Sequence, residues 1–482
     1  SNPLSNSAPP LAADTATRAA DTATRVADTA TRAADTATQT ADTATQCERL
    51  RDLRQETPIS VKNIFVLALN EGNLRTLHAV PKAEDYRFHQ LLAVDDIQFG
   101  QVDIGRLFDA AVSQLDEFPG PIDAIVSYWD FPSSVLHVLL CEHYGLPGPS
   151  LESVVKCEHK YWSRLEQRES IDEYPLFGIV DLRERRPTPP EGMRYPMWLK
   201  PVKSYSSNLA FLARDEAEFE DAVRRIRAGV GRIGKAFDAV LRLLDLPAAI
   251  REVGGQACLA EEALSGEQCA TEGYVHNGDV VVYGVLDSID YPESPSFLRH
   301  QYPSQLPEAV QQRLRDVSRR VITRVGLDES TFSIEFFYDP RSGGVTLLEI
   351  NPRHSQSHAE LFEFVDGCPN HYAMVQLGLG RAPELPSGEG PYDIAAKWYH
   401  RRFSDALVSS VPGPEDIERL RGELDGVEVD VIAQEGRWLS ELPSQDSYSY
   451  ELAHVFVGAR DERELVDKYA RCVEGLPFEF AA

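Results

Sequence analysis

The chain of 482 residues is 43% hydrophobic and carries a formal charge of -28, from 76 acidic against 48 basic residues. That length suits about three domains at ~150 residues each, and the negative balance repels phosphodiester backbones and anionic bilayers, so no nucleic acid and no membrane is expected as a partner. No stretch approaches the ~18 unbroken apolar residues of a membrane helix, the first residues lack a signal-peptide layout, and seven scattered cysteines without a CxxC pair read as reduced thiols; a soluble, cytoplasmic protein is the expectation.

Five copies of a seven-residue unit, from AADTATR to TADTATQ, fill Ala12 to Gln46. Residues 1–56 are therefore expected to form a low-complexity arm, disordered or transiently helical, with a self-associating alanine helix as the alternative. Next, NIFVLAL and IDAIVSYW read as buried strands flanking the helical IGRLFDAAVSQL. This βα alternation predicts a parallel-sheet domain over 57–150. No G-x-G-x-x-G follows the first strand, which argues against a dinucleotide site there.

A second domain is expected over 151–391. It opens with a helical run bearing Lys156 and Lys160, followed by the strand MWLKPV with Lys200 and the hydroxyl-rich KSYSSN with Ser206. Backbone N–H groups and serines of such a loop can cover phosphates. Apolar spacing predicts a helix over 216–244, and CLAEEALSG reads as a strand and loop whose main chain around Glu262 to Leu264 could hydrogen-bond an adenine. Asn277-Gly278 marks a tight hairpin turn. The last unit, 392–482, reads as a smaller β-rich domain closed by the helix ERELVDKYARCVEGL.

The most informative stretch is FSIEFFYD, a turn, and then LLEINPRHSQSH. Successive strand side chains alternate faces. With the turn centred near Ser342, Glu335 faces Glu349, Ser333 faces Asn351, and all four share a face. Like charges directly opposite are destabilising, and a divalent cation resolves the conflict. Magnesium prefers carboxylate and amide oxygens and completes its shell with water and phosphate. Arg353, further along, could hold a phosphate or carboxylate by its planar fork. Alternatively, Arg353 neutralises the two carboxylates in an ion-pair network.

In this order the motifs resemble the ATP-grasp superfamily from about Asn63 to Phe480. The resemblance implies an α/β fold of ATP-grasp type: a pre-grasp domain, a two-lobed grasp domain and a small C-terminal domain. It further implies magnesium on Glu335, Glu349 and Asn351, phosphate contacts from Lys160 and Lys200, adenine contacts on Glu261, Glu262 and Leu264, and Arg353 stabilising phosphoryl transfer. Three positions depart from the family pattern. Gln268 stands where a ribose-binding carboxylate often lies, KSYSSN replaces a glycine-rich loop, and Ser357 occupies the place of the catalytic glutamate of biotin carboxylases.

The activity so implied is an ATP- and magnesium-dependent joining of a small carboxylate to an amine through an acyl phosphate, with Mn2+ as a substitute ion and a homodimer as an open assembly. Capture by a thiol and a non-catalytic nucleotide-binding assembly protein are the alternatives. His354 and His358 are candidates for handling the amine, or for ordinary loop hydrogen bonds. Arg299 and His300 are candidates for facing the substrate carboxylate.

Overall fold

The structure is a computed structural model that describes residues 61–98, 102–204, 209–442, 445 and 449–481. The repeat arm and Ser206 lie outside the described residues. Strands β1 (Lys62–Leu67), β2 (Tyr86–Leu91) and β3 (Ala124–Val126) form a parallel sheet in the order β2-β1-β3. β1 is buried along nearly its whole length, as a parallel strand covered on both faces must be.

A four-stranded antiparallel sheet follows, made of β4 (Phe177–Val180), β5 (Met197–Pro201), β6 (Phe211–Ala213) and β7 (Cys258–Glu262) in the order β4-β7-β5-β6. Its cover is helical. The helix predicted over 216–244 is interrupted at Val230, giving Glu216–Gly229, capped by Asp215, and Gly231–Leu241. Phe219, Val223 and Ile226 of the first half lie buried with Met197, Leu199 and Ala260 of the sheet.

The remaining strands are β8 (Glu267–His276), β9 (Asp279–Asp290), β10 (Phe297–Tyr302), β11 (Ser330–Asp339), β12 (Gly344–Asn351), β13 (Ile394–Arg402), β14 (Val408–Ser410), β15 (Val427–Val431), β16 (Tyr450–Ala459) and β17 (Glu479–Phe480). β14 pairs with β17. The others build one eight-stranded antiparallel sheet in the order β12-β11-β8-β9-β10-β13-β16-β15. The β8–β9 turn places Asn277 at φ 50° and Gly278 at φ 80°, the left-handed pair that Asn-Gly was expected to supply.

The boundaries expected at 150/151 and 391/392 fall inside one compact unit spanning Val61–Ala482. The second has a direct reason: β13 pairs with β10, so the C-terminal strands extend the same sheet without a break. The sheets of four and eight strands are joined by Ala263–Gly266, between β7 and β8. Gly266 sits at φ +132°, and a Cβ there would lie 2.3 Å from the Tyr338 carbonyl oxygen, so the crossing accepts only glycine.

Candidate active site

The β11–β12 hairpin pairs Glu335 with Glu349 and Ser333 with Asn351, the register expected from the sequence. It reaches that register through a bulge. Nearer the turn, Phe336 opposes Leu347, so Leu348 is the extra residue, and only beyond it do Glu349 and Asn351 face the site while Ile350 is buried. Burial and the opposing Glu349 push the Glu335 carboxyl up to about 7. Burial acts the same way on Glu349, but Lys160 and Lys200 outweigh it and hold that group low. Glu349 is therefore the ionised member of the pair, and Glu335 is the one that takes up a proton more readily. Asn351 is buried beside them, and no hydrogen bond is made by its amide among the described residues.

Lys160 opens the helix Lys160–Arg168 and forms an ion pair with Glu349; Lys200 on β5 meets Glu261 at 2.5 Å. Burial lowers Lys200, a direction that neighbouring Lys160 and Arg164 reinforce, whereas Glu349 leaves Lys160 raised against the same desolvation. Each lysine is thus matched by a carboxylate, Lys160 by Glu349 and Lys200 by Glu261. Both lysines line a single pocket with Cys157, Ser163, Glu261 and Glu349.

Arg164 gave no signal in the sequence, where it reads as one more helix charge. Its side chain is 2% exposed and donates from Nε to Glu261 at 2.6 Å and from Nη1 to Gln167 Oε1 at 2.6 Å. It also donates to the carbonyls of Leu347 at 2.9 Å and Leu348 at 2.7 Å. Those are the carbonyls at the bulge, so the guanidinium fork holds the irregularity that aims Glu349.

Arg353 donates from Nε to Asp130 Oδ1 at 2.8 Å, with a second nitrogen 2.7 Å from the same oxygen. Asp130 follows β3 and comes from the first sheet, 223 residues away, so nothing in the local pattern announced it. Asp130→Ala is expected to leave Arg353 charged but loosely aimed, lowering nucleotide turnover about 10- to 100-fold. Steady-state kinetics beside a binding titration check this; unchanged turnover would remove Asp130 from the site.

The histidine expectations divide. His354 is sealed: its Nδ1 accepts from Thr331 at 3.0 Å, its Nε2 donates to His371 at 2.9 Å, and His371 donates on to Asn73 at 3.1 Å. Burial lowers both rings, so they stay neutral and link Thr331 on β11 to Asn73 on the helix Glu71–Leu77. His354 is thereby corrected to a packing residue. His358 donates from Nδ1 to the fully buried Glu272 at 2.7 Å, and its ring lies 5.0 Å from that of His300. His300 faces the site, but Arg299, its neighbour on the strand, points the other way, onto Trp398 and Glu462. Arg299 is thereby excluded from the substrate-facing set, because adjacent strand residues alternate faces.

Residues 193–359 match a family model of the ATP-grasp domain. The chain contains an ATP-grasp domain. Relatives include the carbamoyl phosphate synthase large chain of Xylella fastidiosa, 24% identical over 241 residues, which is 50% of this chain and 20% of that one. The corresponding chain of Paenarthrobacter aurescens is 46% identical over 86 residues, 18% of this chain and 7% of that one. The chain thus spans at most a fifth of the length of these synthases.

Among solved structures, the L-amino acid ligase of Bacillus licheniformis superposes with a TM-score of 0.64 at 16% identity, covering 87% of this chain and 99% of that one. The biotin carboxylase domain dimer of the Hydrogenobacter thermophilus 2-oxoglutarate carboxylase, in complex with MgADP, ADP and bicarbonate, gives 0.59 at 16% identity, covering 87% and 91%. At such identities the likeness is one of fold, and it extends the ATP-grasp fold over nearly all the described residues.

Within the ATP-grasp domain the expected nucleotide residues are close together, with qualifications. The Glu261 side chain is taken up by Arg164 and Lys200. Glu262 exchanges bonds with Leu176: its N–H donates to the Leu176 carbonyl at 3.0 Å, and its carboxylate accepts from the Leu176 N–H at 2.7 Å. Leu264 lies in the segment between β7 and β8. Gln268 donates to Glu335 at 3.2 Å, which sets it beside the carboxylate pair.

Proposed function

We propose that the chain is an ATP- and magnesium-dependent carboxylate–amine ligase that forms an amide bond through an acyl phosphate and releases ADP and phosphate. The observation that carries this reading is the opposed pair Glu335 and Glu349, joined by the unpartnered Asn351 amide and adjoined by Lys160. Among the described residues no three His, Cys, Asp or Glu side chains converge as a metal cage. That is the expected economy of a magnesium site, which takes one or two carboxylates and leaves the remaining positions to water and phosphate. Bound Mg-ATP would supply the activated γ-phosphoryl group.

The chain's own residues have distinct tasks in this reading. Glu335, Glu349 and Asn351 would hold the metal. Lys160 and Lys200, released from Glu349 and Glu261 as phosphates enter, would neutralise the phosphate chain. Arg353, oriented by Asp130, would stabilise charge on the transferring group and align the attacking carboxylate. Leu264 and Glu262 border the adenine position, Gln268 stands near the ribose, and Ser206 belongs to the loop over the phosphates. The likeness in fold to an L-amino acid ligase supports this chemistry. Mn2+ suits the same oxygen donors.

Incubation with Mg-ATP and a pool of amino acids and small carboxylic acids, followed by chromatography, tests the proposal. ADP and phosphate that depend on particular acid and amine pairs are expected. AMP with pyrophosphate, or ADP release indifferent to every acid, would reject it.

The raised Glu335 carboxyl, which binds a proton that a metal would have to replace, has a measurable consequence. Affinity is therefore full above about pH 7 and falls by about tenfold per unit below it. Mn2+ titrated into nucleotide-free protein between pH 6 and 8, with the free ion read by electron paramagnetic resonance, checks this. A flat profile would show the pair ionised throughout.

A further inference from the structure

The face of the eight-stranded sheet that bears Glu335 continues beyond the metal residues. Gln268 on β8, which donates to Glu335, lies opposite Ser288 on β9; Ser288 lies opposite His300 on β10; His300 lies opposite Lys397 on β13. Residues paired directly across strands share a face, so this is one transverse row of polar side chains. Ser288 Oγ and His300 Nδ1 are 3.0 Å apart. The row continues through Phe456 on β16 to Glu428 on β15, which Arg421 engages.

Lys397 is unusual within it. The residue keeps 6% of its surface, and its Nζ lies 5.0 Å from the centroid of the Tyr399 ring and 5.6 Å from that of Phe456. Among the described residues Nζ makes no hydrogen bond and no ion pair. The other Lys and Arg residues buried to that degree, Arg164, Lys203 and Arg299, each meet a carboxylate. Neighbouring carboxylates are already engaged: Glu360 accepts from Arg75 at 3.3 Å, and Glu451 accepts from Arg401 at 3.0 Å and pairs with His454 at 2.7 Å. Glu360 and Glu451 act on this ammonium through space but do not touch it, and an ammonium so poorly hydrated without a contacting anion is costly, the ring faces offsetting only part of that cost. An anion from outside the chain would supply the rest.

We infer that Lys397, flanked by His300 and framed by Tyr399 and Phe456, is the anion-binding end of the acid-substrate pocket. It receives a second carboxylate or a phosphate group of the acid whose reacting carboxylate lies beside Arg353. The strands of Glu335 and Lys397 are separated by four inter-strand steps, about 19 Å of backbone. Even after both side chains reach inward, the second anionic group stands several bonds from the reacting carboxylate. The acid is thereby a dianion of some length rather than a simple monocarboxylate. This deepens the ligase reading and depends on it for calling the anion a substrate.

The experiment separates the two. Full-length protein saturated with magnesium and a non-hydrolysable ATP analogue, which fills the γ-phosphate position, is titrated calorimetrically with adipate, suberate, their monoacid counterparts hexanoate and octanoate, and inorganic phosphate. The wild type is expected to bind at least one dicarboxylate or phosphate saturably and at least tenfold tighter than the monoacids. Lys397→Met should abolish that margin, and Lys397→Arg should retain it. Unchanged affinity for the nucleotide analogue certifies the fold of both variants. Loss of the margin on phosphate alone assigns a phosphorylated acid; loss on dicarboxylates assigns a diacid. Failure of every anion to bind the wild type, or equal binding by Lys397→Met, overturns the inference while leaving acid-dependent ADP release to stand. Anion binding through Lys397 without any acid-dependent ADP release would retain the site and sink the ligase.

Discussion

Glu349→Gln is expected to lower ADP release by about 10³-fold or more while leaving the protein folded. The substitution keeps the shape of the side chain but removes the ionised partner of Lys160 and one of two metal-facing carboxylates. A metal contributes several kcal/mol of charge stabilisation in phosphoryl transfer, and about 4 kcal/mol corresponds to roughly 10³ in rate. Stability should fall modestly, because Lys160 loses its charged partner while the repulsion between Glu349 and Glu335 is relieved. Glu335→Gln is a useful companion. Glu335 is the member with the raised value, so this change should also flatten the pH dependence of metal affinity. Single-turnover assays with melting curves on both variants provide the check, and retention of full activity in Glu349→Gln would end the metal assignment.

Arg164→Met should be the most damaging single change to stability among the site residues, with a loss of about 3 kcal/mol. Removing one partner of a buried ion pair costs ~3–5 kcal/mol. The lower end applies here because Glu261 keeps Lys200. The carbonyls of Leu347 and Leu348 lose their donor as well, so the bulge is free to shift. A one-residue slip in β12 would turn Glu349 away from Glu335. Metal affinity and turnover should therefore fall together with stability. Arg164→Lys should recover part of the stability without recovering metal affinity, since a single ammonium cannot serve a carboxylate and two carbonyls in one plane. Denaturant unfolding paired with Mn2+ binding separates the two effects. Arg164→Met protein that is destabilised yet binds metal normally would make the residue a fold anchor only.

Much of this site was legible because it is local. The hairpin from Phe332 to Asn351 is contiguous, and strand alternation places Glu335, Glu349 and Asn351 together whatever the rest of the chain does. The Asn277-Gly278 turn is legible for the same reason, since its conformational demand falls on two adjacent residues. The bulge at Leu348 was not. The turn lies half a residue before Ser342, and the expected register holds past Glu335 only because the extra residue restores it.

What the sequence alone determined, then, is the set of reactive side chains on one hairpin and the kind of ion they suit. Those properties follow from residue identity and from a period of two along a strand. What only the tertiary structure decided is who partners whom across distance. Asp130 reaches Arg353 from 223 residues away, Arg164 reaches the bulge from 183, and His354 is consumed by a relay to Asn73 through His371. The solitude of Lys397 belongs to the same class. A buried charge is paired or unpaired according to what the packed sheet brings within about 4 Å, and spacing along the chain does not encode that distance.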